Sequence, residues 1–139
     1  MALTYTISRD ERLAKAIASG IIGAEEINRF LDAVIGDPDL RPGVRGLVDA
    51  REAEPDVTIL QLAEIARRVH KLIDRGLGRI AIVVESKASY RVAKTFAVLA
   101  RALGIDVDVF TDISAAEAWL DDSTGRSDTE ETPVPPLPR

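Results

Sequence analysis

The chain of 139 residues has no cysteine. Disulfides, thiolate nucleophiles and cysteine-ligated metals are therefore excluded. Aromatic residues make up only 4%, so any core must be built from aliphatic side chains. There is one histidine, His70, and no carboxylate cluster at metal-ligand spacing accompanies it. A metal centre is not expected, nor is a cofactor, and His70 has no nucleophile beside it for general-base work. No apolar run approaches the ~20 residues of a membrane-spanning helix. Met1 to Thr6 lacks the basic start and apolar stretch of a signal peptide, so a cytoplasmic location is expected. Positive charge is short as well. The net charge is −5 and the pI about 4.9, which argues against nucleic acid as the main partner. No glycine-rich phosphate loop is found, because Gly76 and Gly78 precede a strand rather than open a helix.

What is present is an ordinary globular composition, 46% hydrophobic and 29% charged. The most informative stretch is Gly78 to Phe110. Arg79 to Glu85 is an apolar run of strand length. Ser86 to Ser89 is a polar turn able to cap a helix. A helical pattern follows, with Ala93, Phe96, Ala97, Ala100 and Leu103 on its inner face. Gly104 stops it, and Ile105 to Phe110 is a second strand. Two strands joined through a helix require a parallel pair.

The flanking segments extend this scheme. Leu3 to Ser8 alternates and reads as a strand. Leu13 to Ser19 alternates less cleanly, and its alanines make a helix a rival, but Gly20 and Gly23 soon break the run and favour a hairpin partner of the first strand. Ala24 to Ile35 is a helix with Ile27, Phe30, Leu31, Val34 and Ile35 in one stripe, ended by Gly36 and Pro38. Val44 to Asp49 is a short strand, and Ala50 to Asp56 is a charged connection. Thr58 and Gln61 form a capping box before a helix that buries Leu62, Ile65, Ala66, Val69, Leu72 and Ile73. A last short helix opens with a second box, Ser114 and Glu117. It carries Ala116, Trp119 and Leu120, with Trp119 as a core plug. The expected fold class is α/β: a mixed, mostly parallel sheet of about five strands packed with four helices, in the order β-β-α-β-α-β-α-β-α. Residues 1–120 form the domain and residues 121–139 a flexible, acidic, proline-rich tail. Strand order is left open.

Several pieces, taken in order, resemble the SpoIIAA-like, or STAS-like, family of small bacterial proteins. They are Gly20 with Ala24 to Glu26; Asp37 to Pro42 ahead of Gly46 to Arg51; Ile80 to Val84; and Val109 to Leu120, whose Phe, Asp and Glu-Ala-Trp-Leu pattern is the most specific. The resemblance spans roughly residues 3–120. It implies an α/β sandwich and a mostly non-catalytic role. STAS domains serve as anti-sigma-factor antagonists, transporter appendages and sensory modules, and related Sec14-type folds hold lipids. The antagonists carry a phosphorylated serine in an Asp-Ser pair. The matching region here, Asp49 to Thr58, has none, so that switch is not carried over.

Two surfaces are candidates for function. Parallel strands direct their C-terminal ends to one edge, where open α/β sheets bind ligands. That edge collects Asp49 and Arg51, Glu85 to Ser89, and Thr111 with Asp112. Within it Asp49, Arg51, Ser86, Lys87, Ser89 and, one turn in, Arg91 are the candidate ligand set, beside a helix N-terminus suited to an anion. A small anionic ligand or a partner carboxylate is the expectation there; the plain alternative is that Ser86 only caps the helix. The second surface is basic. Arg68, Lys71 and Arg75 line one helix, and Lys94 and Arg101 line the next, together forming a docking face for an unknown protein partner. The plain alternative is two solvated faces, with Glu64 and Arg68 as an i,i+4 pair. The leading expectation is a non-enzymatic binding or regulatory module. The alternative is a carrier of an apolar or amphipathic molecule, which an apolar cavity beneath the helices would favour. Self-association through an exposed strand edge or helix face is also open.

Overall fold

The computed structural model describes residues 2–125. Its elements are β1 (Ala2–Ser8), β2 (Leu13–Gly23), α1 (Ala24–Ile35), β3 (Arg45–Asp56), α2 (Ile59–Asp74), β4 (Ile80–Val83), α3 (Lys87–Ala102), β5 (Val107–Phe110) and α4 (Ile113–Gly125). The expected α/β class and the mixed five-stranded sheet are both observed. The strands lie in the order β1-β2-β3-β4-β5, with β1 antiparallel to β2 and the remaining pairs parallel. In particular, β4 and β5 run side by side in parallel, pairing Ile80 with Val107 and Val83 with Phe110.

Helices α1, α2 and α3 pack next to one another on one face of the sheet. Their inner stripes supply Leu31, Val34, Leu62, Ile65, Phe96 and Ala97 to a single apolar layer. Each fully buried Leu or Ile contributes about 1.5–3 kcal/mol. Among the described elements, helix α4 alone lies on the opposite face. There Ala116 and Leu120 meet Leu47, Ala81 and Val83 in a separate, smaller core.

Helix ends follow local chemistry. Thr58 and Gln61 form the expected capping box at α2, the Gln61 N–H donating to Thr58 Oγ1 at 3.1 Å and the Thr58 N–H to Gln61 Oε1 at 2.9 Å. Ser86 caps α3 by accepting the Ser89 N–H at 3.0 Å. At α4 the cap is Asp112, which accepts the Ala115 N–H at 3.1 Å. The expected Ser114 box is therefore corrected: helix begins one residue before Ser114, and a carboxylate outside the helix takes the orphan donor. Gly76, just after α2, has φ +107°, and a Cβ there would stand 2.5 Å from Pro42 Cα. Only glycine fits this contact, which seats the loop before β3 against the end of α2.

Other expectations also change. β3 does not stop at Asp49; Ala50 to Asp56 is strand rather than connection. The charged residues hid this because a bulge interrupts the alternation. Ile17 pairs with Asp49 but Ser19 pairs with Glu52, so β3 holds one extra residue. Val48 and Ala50 face the three helices before the bulge, and Ala53 and Pro55 after it. The period of two is intact on either side but changes phase across it. β2 likewise continues past Ser19 to Gly23. Leu103 is 40% exposed rather than buried, since it lies beyond the last turn of α3. Trp119 is half-buried, with the Arg79 guanidinium 4.4 Å from its ring centroid. The boundary expected at residue 120 falls within α4, and residues 126–139 of the expected tail lie outside the described residues.

Candidate functional site

The strand-end edge assembles only part of the expected ligand set. Asp49 and Arg51 stand on one side of β3 and form a bidentate pair, Arg51 Nε and Nη2 donating to the Asp49 oxygens at 2.9 and 2.8 Å. The Arg51 guanidinium holds the Asp49 carboxyl below the usual carboxylate range, and Asp49 raises Arg51 in turn. With Ile17, Glu52 and Glu85 they line a polar recess of about 310 Å³ on the α4 side of the sheet. Helix α4 covers β3, β4 and β5, and leaves this corner open.

The remaining members go elsewhere. The Ser86 side chain is turned to the end of α3. Ser89 is 4% exposed, and its hydroxyl donates to the Ala53 carbonyl at 3.2 Å, beneath the helices. Lys87 and Arg91 are exposed on the first turns of α3. The six residues are thus divided between the two faces of the sheet.

The basic stripes are largely committed within the chain. Arg68 pairs with Asp32 of α1, not with Glu64. Arg75 donates to the backbone carbonyls of Ile35 and Leu40, tying the loop after α1 to the end of α2. Arg101 bonds the Val107 carbonyl and Asp108 at 3.0 Å each. Lys71 is exposed, and Lys94 lies 5.9 Å from the Tyr90 ring. His70 faces Asp74 at 3.7 Å. Among the described residues, no three histidine or acidic side chains are grouped as a metal would need. None of the described helices is long and apolar enough to cross a membrane.

The feature that sequence reasoning did not locate is a cavity of about 220 Å³ between the sheet and α1–α3, partly open to solvent. Its origin is local and physical. β2 sends Ala14, Ala16 and Ala18 toward the helices, and β3 sends Gly46, Ala50 and Ala53. The helices answer with large side chains, among them Phe30, Leu31, Ile65 and Phe96, which hold the layers apart. Small residues on adjacent strands then leave space that the described side chains do not fill. The signal was in the sequence as alanines at alternate positions of β2, but two floor residues, Ala50 and Ala53, are in the strand segment that read as a connection.

The walls are almost entirely hydrocarbon. Of the lining residues only Tyr5 and Ser89 carry a polar side-chain atom. The Tyr5 hydroxyl is engaged, donating to Asp37 Oδ2 at 2.7 Å. Burial and the Asp37 carboxylate push its pKa up to about 12. Asp37 is held low in return, first by the Asp39 N–H and then by Tyr5.

A family model described as SpoIIAA-like matches residues 14–121. The chain belongs to the SpoIIAA-like family. Its fold is also that of a crystal structure of an uncharacterized protein with a SpoIIAA-like fold from Shewanella loihica PV-4. The two are 17% identical with a TM-score of 0.54, over 86% of this chain and 92% of that one. No curated protein matches the chain. The SpoIIAA-like fold is typically that of a non-enzymatic regulatory or protein-interaction module.

Proposed function

We propose that this SpoIIAA-like chain is a non-enzymatic binding module whose ligand is a small apolar or weakly amphipathic molecule held between the sheet and α1–α3. The observation that carries this reading is the partly open 220 Å³ cavity with hydrocarbon walls. An apolar cavity of ~150 Å³ stays dry and accepts benzene, so this one has room for an aromatic ring bearing a short substituent, or for a short alkyl chain. Filling such a space with apolar surface yields about 25 cal/mol per Å² removed from water. The expected alternative of a lipid-like cargo narrows to a smaller molecule of the same polarity.

The anionic-ligand reading of the strand-end edge has weaker support. Ser86, Ser89 and Arg51 already have protein partners, which leaves Lys87 and Arg91 as its cations. A second reading, protein docking on α3, draws on Val98, which is 63% exposed one turn from Lys94. Native mass spectrometry of freshly purified protein and NMR titration with toluene distinguish the readings. Toluene is expected to shift amides of Ala16, Ala53 and Val92, and Ala16→Leu is expected to abolish those shifts. No shift at saturating toluene, together with no co-purified mass, removes the carrier reading.

A further inference from the structure

We infer that the ligand of this cavity carries a hydrogen-bond donor, and that Ser89 selects for it. The inference rests on the cavity reading and adds the chemical class of the occupant. Ser89 lines the space and is 96% buried, taking its 4% exposure from full. Its hydroxyl hydrogen is spent on the Ala53 carbonyl at 3.2 Å. A serine hydroxyl has one hydrogen to give and two lone pairs to accept with. Among the described residues nothing donates to that oxygen, so its accepting capacity is unused.

The other polar side chain of the wall does not compete. Tyr5 sends its hydroxyl to Asp37 and to the Ala33 carbonyl, groups on α1 and the loop after it that do not line the cavity. A molecule in this space therefore meets hydrocarbon and one acceptor. A donor placed anywhere else in the cavity would be stripped of water without replacement, which is unfavourable. An acceptor-only or anionic molecule would meet the Ser89 lone pairs with no hydrogen to share. The class that fits is a phenol or a small alcohol, with its hydroxyl directed at Ser89 and its hydrocarbon against the alanines of β2 and β3.

Phenol and toluene have nearly the same shape and differ in the donor. Isothermal titration of the full chain with each, and of the Ser89→Ala variant with each, isolates the effect. Loss of one buried neutral hydrogen bond corresponds to roughly tenfold in affinity. Ser89→Ala is expected to raise the Kd of phenol about tenfold while toluene stays within about twofold. A purely structural role for Ser89 would weaken both alike, so the ratio of the two is the readout. Toluene binding with a phenol-to-toluene ratio unchanged by Ser89→Ala overturns the Ser89 assignment and leaves the cavity reading standing. Neither molecule binding overturns both. Ser89→Thr keeps the hydroxyl and is expected to hold the wild-type ratio even if its added methyl weakens both ligands; loss of the ratio in that variant also counts against the assignment.

Discussion

The two faces of the sheet are built from similar residue types and packed to different ends. On the α4 face, Leu47, Ala81, Val83, Ala116 and Leu120 are at most 2% exposed and close on one another. On the other face three helices sit over alanines and glycine and leave a cavity. The difference lies in pairing. Under α4, the small Ala116 presents a close-approaching helix surface to small Ala81. Under α1–α3, small strand residues face large helix residues whose mutual contacts hold the helices up. One face is a close-packed support and the other encloses a cavity.

The largest effect should come from damaging the support. Leu120→Ala is expected to cost about 2–5 kcal/mol, read as a fall in the urea midpoint. A loss well under that range would mean that α4 is not the close-packed layer described here. The sharper comparison uses one substitution on both faces. Ala81→Leu is expected to destabilise by about 1–3 kcal/mol, because there is no room for the added atoms. Ala16→Leu is expected to be neutral or to stabilise by about 0.5–2 kcal/mol while blocking toluene. If the two variants move the midpoint in the same direction by the same amount, the contrast between the faces is lost.

Titration gives a smaller and opposite pair of signals. The Tyr5 pKa is raised on folding from 10.0 to about 12, so its contribution is complete below pH 10 and is lost as pH rises toward 12. Tyr5→Phe is expected to flatten that alkaline decline in melting temperature. Asp49 is lowered by Arg51, so its contribution is present above the ordinary value of 3.8 and is lost as pH falls through the folded value. Asp49→Asn should flatten the acid limb only. The least effect is expected from the exposed Arg9–Asp39 pair at 2.8 Å, where Arg9→Ala should cost under about 1 kcal/mol. An Arg9 effect as large as that of Leu120→Ala would show that the cavity-side loops are held by charge rather than by packing.

Much of this architecture was readable before folding. The stripes of α1 and α2, the Thr58–Gln61 box and the strand–helix–strand unit around α3 are local patterns, and their physics is local. The failures have a common cause. Ala50 to Asp56 read as a connection because it is charged and reaches Pro55, and one extra residue in β3, which shifts the inward positions from Ala50 to Ala53, left no alternation to set against that. Periodicity cannot carry across an unannounced phase change. The basic stripes of α2 and α3 were visible as spacing, but spacing does not show that Arg68 reaches Asp32 or that Arg75 reaches the Ile35 carbonyl. Likewise Ser86 and Ser89 are only three residues apart, yet one caps the helix and the other enters the core.

The amino-acid order alone determined the element types, the aliphatic character of the core and the need for a parallel sheet, since each follows from neighbours within a few residues. Strand order, the side on which α4 settles, and the hollow above Ala16 and Ala53 were decided only by tertiary packing. A cavity is a relation between surfaces distant in sequence, and it exists because large side chains on the helices meet one another before they reach the small ones below.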